Sequence, residues 1–170
     1  MKRIVLVLIA LIFVLASYCP APAASAKGSD EAEIKALEQR IADAANAKDP
    51  DAIMKNYLGG EGLFVFDVIP PRQYVGADAF HKDWEGFFGR FDGPITFENS
   101  DMTVESDGKM AFVHYITHVA GKRKDGNPID VNIRVTDVLR KAKGKWLIVH
   151  EHVSVPVDLA TGKADLASKP

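Results

Sequence analysis

Asp67 is the residue whose sequence surroundings best suit it to acid–base chemistry. It is the one charge in residues 62–69 (GLFVFDVI), whose aromatic and β-branched residues predict a strand. Burial in such a strand would raise the pKa of a carboxyl group and suit it to general-base catalysis near neutral pH. Asp67 could instead cap the turn at Pro70 and Pro71, and the sequence leaves both interpretations open.

A histidine pair could bind a metal ion. His150 and His152 are two residues apart in a predicted strand, so both side chains point the same way about 6.6 Å apart. Zinc ligands use this spacing, but so do histidines that are hydrogen-bonded within a sheet or across a dimer. A third ligand is needed, and His114 and His118 lie about 13 Å from each other on another strand, so at most one could join. We therefore predict no metal and no cofactor.

A stripe of aromatic residues at helical spacing predicts a helix that begins after Gly76 and ends before Gly93. Its apolar face would consist of Phe80, Trp84, Phe87, Phe88 and Phe91. His81 lies at the edge of this face, where it could reach into a pocket or remain in solvent. Trp84 is expected in the core in either case.

Two helices and four long strands complete the pattern. Asp30 and Glu33 form a capping box, which predicts a helix over residues 30–48. Asp49 followed by Pro50 predicts the start of a short second helix that continues to Leu58. Turns of the Asp-Gly and Lys-Gly type then separate four predicted strands of an antiparallel meander, residues 95–105, 110–122, 129–140 and 146–157.

The apolar residues of the first long strand change faces partway along. They shift from Ile95 and Phe97 to Met102 and Val104, which predicts a β-bulge near residues 99–101 that bends the sheet. We therefore predict an α+β fold in which three helices pack on a strongly curved antiparallel sheet, a half-cone with a pocket. Apolar residues on the opposite sheet face predict a homodimer through that face.

The register of the last hairpin stays open at this stage. A two-residue loop at Lys143 and Gly144 would pair Asp137 with His150, and a three-residue loop would pair Asp137 with Val149. The choice decides which side chains of the last two strands line the pocket.

The first 26 residues have the three parts of an export signal. Lys2 and Arg3 precede the uncharged residues 4–16, and small residues continue to Ala26. The apolar run is shorter than the roughly 20 residues that cross a membrane. We therefore expect a signal peptide over residues 1–26, a domain over 27–158 and a tail over 159–170, in a periplasmic or secreted protein with no membrane attachment after cleavage.

Composition narrows the possible chemistry. The chain has 21 Lys and Arg against 23 Asp and Glu, a formal net charge of −2, which lacks the basic excess that nucleic-acid binding requires. Its single cysteine, Cys19, lies in the predicted signal peptide, so thiol chemistry is excluded from the mature domain. Carboxylates and histidines remain as the candidates.

Several short stretches resemble the SnoaL-like group of the nuclear-transport-factor-2-like (NTF2-like) superfamily. They are residues 144–154 (GKWLIVHEHVS), 134–137 (RVTD) and 74–76 (YVG), within a resemblance that spans about residues 30–158. The first stretch also resembles the association domain of calcium/calmodulin-dependent protein kinase II. The resemblance implies a cone-shaped fold, but the superfamily includes enzymes and binding domains alike.

The resemblance also implies roles for individual residues. In the ketosteroid-isomerase branch, the position of Asp67 holds the proton-shuttling base, and that of Asp137 holds a protonated acid that donates to the enolate oxygen. Ile41 stands where that branch has an oxyanion-binding tyrosine, a role that Tyr57 or Tyr74 could take. The kinase association domain places pocket residues near His81 and His114.

These observations predict an exported small-molecule-binding domain whose partner is a small organic molecule. The alternative is an isomerase, dehydratase or cyclase with Asp67 as general base and Asp137 or a histidine as acid, and a third possibility is a dimerisation module. The predicted pocket residues are Tyr57, Asp67, Tyr74, His81, Trp84, His114, Asp137, His150 and His152.

Overall fold

The structure, a computed structural model, describes residues 23–168. Most of the predicted signal peptide therefore lies outside the described residues, and its cleavage stays a prediction. In chain order the helices and strands are α1 (Ala23–Asn46), α2 (Pro50–Met54), β1 (Phe64–Phe66), β2 (Tyr74–Val75), α3 (Ala77–Phe88), β3 (Phe91–Ser106), β4 (Met110–Arg123), β5 (Pro128–Ala142), β6 (Lys145–Ser154), β7 (Val157–Asp158) and β8 (Lys163–Ala164).

Helix α1 begins seven residues before the predicted capping box. Asp30 therefore lies inside the helix rather than at its N-terminus, which corrects the sequence-based prediction. Its buried carboxylate accepts hydrogen bonds from Lys141 Nζ at 2.7 Å and Trp146 Nε1 at 3.3 Å. Ile34 and Leu37, almost completely buried, hold the same helix on the sheet, and each such burial contributes about 1.5–3 kcal/mol.

Helix α2 has the predicted start and an earlier end. Asp49 caps it by accepting a hydrogen bond from the backbone N–H of Ala52 at 2.9 Å. The helix ends at Met54 rather than Leu58 because the next residues join the sheet. The N–H of Leu58 donates to the carbonyl of Ile148 at 2.8 Å, so this backbone cannot continue the helix.

The predicted four-strand meander is confirmed as β3 to β6, within a six-stranded sheet of order β2-β1-β6-β5-β4-β3. β1 adds to β6 in parallel and β2 pairs antiparallel with β1. β1 is only three residues long, so Asp67 follows the strand instead of lying within it. Phe91 begins β3 and does not extend the aromatic stripe of α3.

Besides an irregularity at the start of β3 between Phe91 and Ile95, two bulges bend the sheet. The predicted one is confirmed by a register shift between Ser100 and Thr103, with Asp101 at φ 54°. The second lies in β6, where Ile148 pairs with Leu139 and His150 pairs with Val138. Val149, between them, has no partner on β5.

The second bulge overturns both predicted registers. The loop of Lys143 and Gly144 has two residues with φ 50° and 80°, as a type I′ hairpin turn requires. The extra residue at the bulge then advances the pairing by one, so that Asp137 pairs with Glu151. Both side chains consequently point to the inner face of the sheet.

The three helices pack on the concave side of this sheet, and the predicted α+β half-cone is confirmed. The aromatic residues of α3 stack on one another and on β3, with Trp84 and Phe88 ring centroids 5.3 Å apart and Trp84 and Phe97 centroids 5.9 Å apart. After β6, β7 and β8 form a separate two-stranded hairpin, and the residues that follow it return to β5, where the N–H of Asn132 donates to the Leu166 carbonyl at 2.9 Å. None of the described helices is long and apolar enough to span a membrane.

Candidate functional site

The half-cone encloses a cavity of about 230 Å³ between α1, α3 and the inner face of the sheet. Most of its wall is aliphatic or aromatic. The apolar lining comprises Ile41, Ala42, Ala45, Val68, Ile69, Phe80, Trp84, Phe87, Phe91, Phe97, Val119, Ile129, Val131, Ile133, Val135 and Val153. Such a wall favours the apolar body of a small organic ligand.

The closed end of the cavity is polar. Tyr57, Tyr115 and Glu151 line it and are all buried. The Tyr57 hydroxyl donates to Glu151 Oε2 at 2.5 Å. A ligand that entered the cone would meet this pair and the Tyr115 phenol at the end of its apolar walls.

Behind this end lie two further carboxyl groups, from α1 and β5. Glu38 and Asp137 are both 0% exposed. The Tyr115 hydroxyl lies 3.1 Å from Glu38 Oε2 and 3.0 Å from Asp137 Oδ2. A phenol has one proton to donate, so the second of these two contacts requires a proton on a carboxyl group. At least one of the two acids is therefore neutral in this arrangement.

Burial raises the pKa of each acid in this cluster, because a charged carboxylate loses its hydration there. The pKa of Glu38 rises to about 8 and that of Glu151 to about 7. Burial, and then the charges of Glu38 and Glu151, hold the pKa of Asp137 well above its usual range. Burial likewise raises the pKa of Tyr57 and Tyr115, which keeps both as hydrogen-bond donors.

Asp67 lines the more open part of the cavity and is half-buried. Burial raises its pKa to about 6, against the opposing effect of the Val68 backbone N–H, which donates to Asp67 Oδ1 at 2.6 Å. The charge of Asp83 raises it further. Arg90 and Arg123 also line this part, so charges of both signs surround the mouth.

Of the predicted pocket residues, Tyr57, Asp67 and Trp84 lie in the cavity wall. Asp137 lies behind the closed end, where it interacts with Tyr115 and Glu151 of the cavity wall. Tyr74 is not itself in the wall, but its hydroxyl donates to Asp83, a wall residue, at 2.6 Å.

His81 and His114 lie outside the cavity wall. His81 is on the flank of α3 that faces α2, with Nε2 2.9 Å from Asp51 Oδ1. His114 is exposed on the outer face of the sheet, where it stacks on Phe112 with ring centroids 6.3 Å apart.

His150 and His152 also point away from the cavity, because the bulge assigns the inner face of β6 to Glu151. His150 Nδ1 lies 2.8 Å from the Phe64 carbonyl, and His152 packs against the ring of Phe66 with centroids 5.6 Å apart. Within residues 23–168, no group of three His, Cys, Asp or Glu side chains is arranged to hold a metal ion.

Sequence reasoning did not identify Glu38, Tyr115 or Glu151 as site residues. Glu38 had a detectable signal, because it lies on the buried stripe of α1 four residues after Ile34 and three before Ile41. Glu151 had none, because only the bulge turns it inward. A part-buried hydrogen bond of 2.9 Å, from the Thr117 hydroxyl to Asn99 Oδ1, adds two further polar side chains to the wall.

Comparisons with known proteins agree with this geometry. Residues 34–158 match the SnoaL-like domain family, and the chain belongs to that family. Its fold is the NTF2-like cone. A comparison with curated proteins gave no match.

Solved structures show the same cone. An NTF2-like protein of unknown function from Pseudomonas putida KT2440 is 31% identical, with a TM-score of 0.76 over 84% of this chain and 98% of that chain. A proposed scytalone dehydratase from Novosphingobium aromaticivorans is 16% identical, with a TM-score of 0.69 over 76% and 86%. A proposed dehydratase of the NTF2-like family from Streptomyces avermitilis is 14% identical, with a TM-score of 0.66 over 75% and 97%. The last two likenesses concern the fold alone.

Proposed function

We propose that this chain is an exported binding domain that holds a small, largely apolar organic molecule in its cone. The observation that carries the proposal is the apolar cavity of about 230 Å³ that ends at the Tyr57–Glu151 hydrogen bond. The apolar body of the ligand would contact the walls of the cavity, and one polar group would reach the closed end. The positively charged and apolar segments of residues 1–26 support export.

The cavity volume limits the size of the ligand. Pockets for drug-sized molecules measure about 300–1,000 Å³, and an engineered cavity of about 150 Å³ holds benzene. A volume of about 230 Å³ lies between these values. The expected ligand is therefore a single substituted ring or an aliphatic molecule of similar size.

Filling the cavity tests this proposal. Ala45 lines the wall from α1, so Ala45→Phe should place a ring in the cavity and weaken the binding of small aromatic probes at least tenfold. Ligand-observed NMR with a panel of such probes measures the effect. Ala36→Phe on the exposed side of α1 is the matched control. Wild-type affinity in a folded Ala45→Phe protein would contradict a ligand site in the cone.

A second candidate is an isomerase, dehydratase or cyclase with Asp67 as general base. It is favoured by the position of Asp67, whose pKa is about 6, in a cavity wall that also contains the buried hydroxyl groups of Tyr57 and Tyr115. Structural likeness to proposed dehydratases gives it fold-level support. Asp67→Asn should then lower kcat at least 100-fold on a substrate found by screening, whereas Asp78→Asn, exposed on α3, should not. Undiminished turnover would exclude this role for Asp67.

We further propose a homodimer through the outer face of the sheet. Phe112, Val138, His150 and Phe64 are in register across four neighbouring strands of this face. Phe112 is 45% exposed, which is high for an aromatic side chain. Pairing two such faces would bury this row.

A further inference from the structure

The closed end of the cavity is acidic and contains no basic side chain from the described lining. Glu151 faces the cavity, with Asp137 and Glu38 behind it. Glu38 Oε1 and Asp137 Oδ1 are buried and have no hydrogen-bond partner. Arg40, the cation whose charge acts on Glu38, is on the exposed side of α1. Among the described residues, the cluster therefore contains no positive charge of its own.

The basic side chains of the lining are far from this cluster. Arg123 follows Tyr115 by eight residues along β4, about 26 Å of extended strand. The backbone bond from Lys124 N to the Arg90 carbonyl, 2.8 Å, holds Arg90 at the same edge, where its side chain is exposed. Asp67 and Asp83 line the cavity with them, so the mouth has both signs of charge and the closed end only one.

Aromatic rings surround the approach to Glu151. Tyr57 and Phe80 have centroids 5.5 Å apart, and Phe80 and Trp84 have centroids 5.9 Å apart. All three line the cavity. Aromatic faces attract a cation through the ring quadrupole, and the attraction grows when water is excluded. Rings together with a carboxylate at the end of an apolar cavity form a suitable site for an organic ammonium group.

We propose that the ligand carries a protonated amine on its small apolar body, and that Glu151 binds this amine at the closed end of the cone. The inference rests on the proposed binding function and specifies its ligand class. At pH 7.5 an anionic ligand would meet the ionised Glu151 carboxylate and would bind weakly. A bare metal ion does not fit, because the carboxyl groups do not form a ligand cage within the described residues.

Amine binding would be coupled to proton release. The ionisable groups that face Glu151 from the surrounding elements are Tyr57, Asp67, Asp83, Tyr115, Asp137 and Glu38. None of them is a cation. Burial, and then the charges of Asp67 and Asp83, keep Glu151 protonated up to a pKa of about 7, against the opposing effect of its hydrogen bonds with Tyr57 and Asp137. An incoming ammonium favours the carboxylate, so Glu151 transfers its proton to solvent below that pH.

Three probes of matched shape test the inference. Phenethylamine, phenethyl alcohol and phenylacetate share one ring and differ in the charge of the end group. Isothermal titration calorimetry on the full chain at pH 7.5 should show the amine binding at least tenfold tighter than the alcohol, and the carboxylate binding more weakly than the alcohol. In Glu151→Gln, the affinity for the amine should fall to that for the alcohol. Glu98→Gln, the same charge change on the exposed side of β3, should leave the preference unchanged.

A pH series on the wild-type protein gives an answer even if Glu151→Gln fails to fold. Primary amines stay protonated below about pH 9, so only the protein titrates in this range. The preference for amine over alcohol should fall roughly tenfold from pH 7.5 to pH 5.5, because the amine must then displace a proton. If the alcohol binds as tightly as the amine, or if the preference for the amine does not depend on pH, the proposed amine ligand is wrong. The proposal of an apolar ligand site would not be affected. No binding of any probe would refute both.

Discussion

At the residue scale, the phenol of Tyr115 explains how three acids coexist in the interior. Its single hydroxyl lies within 3.1 Å of Glu38 and 3.0 Å of Asp137, so the acids share protons instead of ionising together. The Tyr57 hydroxyl donates to Glu151 and favours its ionised form, against the effect of burial. A buried acid kept neutral avoids the desolvation cost of a charge, and it can donate a hydrogen bond.

The proton held by Glu38 makes stability depend on pH. Its folded pKa of about 8 exceeds the ordinary value of 4.5, so the folded state binds more protons than the unfolded state between these values. The free energy of unfolding therefore falls as pH rises from 5 to 8.5. Glu38→Gln keeps the neutral form and should be more stable than wild type at pH 8.5, by on the order of 4 kcal/mol.

Urea denaturation at pH 5 and pH 8.5 measures this difference. The two proteins should have similar stability at pH 5, and wild type should lose more on going to pH 8.5. Some slope should remain in Glu38→Gln from Glu151 and Asp137. Glu98→Gln is the exposed control and should follow wild type. Identical slopes in Glu38→Gln and wild type would show that Glu38 is ionised in the fold.

At the scale of elements, the bulge in β6 and the start of α1 position the site. The bulge leaves Val149 unpaired and allows Ile148 and Glu151, three residues apart, both to point inward. Helix α1 carries Glu38 to the cluster. It is held in place by Asp30, which accepts hydrogen bonds from β5 and β6.

Removing that anchor should destabilise the fold. Asp30→Ala deletes hydrogen bonds from Lys141 and Trp146 and leaves the buried indole N–H without a partner. The free energy of unfolding should therefore fall by about 2–3 kcal/mol. Urea denaturation at pH 7 checks the value. Asp43→Ala, on the exposed side of α1 with a single bond from Gln39, should cost less than about 0.5 kcal/mol. Equal effects of the two substitutions would show that Asp30 does not anchor the helix.

At the scale of the whole molecule, the two faces of the sheet have different tasks. The concave face lines the cavity, and the convex face presents the row that contains Phe112. The histidines that sequence reasoning placed in the pocket, His114, His150 and His152, belong to this convex face or its margin. The proposed dimer would place them near the partner subunit.

A charge in the row should separate the subunits. Phe112→Glu puts a carboxylate on each side of the proposed interface, so it should shift the protein from dimer to monomer in size-exclusion chromatography with light scattering. Ala36→Glu on the exposed side of α1 is the control and should keep the dimer. A wild-type protein that is monomeric at micromolar concentration would exclude this interface.

The sequence by itself determined the presence of three helices, the four long strands and the class of fold, because periodicity and turn residues are local signals. It gave the helix at Pro50, the bulge near Asp101 and the meander. The single charge in residues 62–69 also identified Asp67 as a candidate site residue. Tertiary structure decided the closed end, because the bulge at Val149 fixes which residues of β6 point inward. The groups at this end, Glu38, Tyr115, Asp137 and Glu151, come from four elements and meet only when the sheet curves around α1, and no local pattern records that meeting.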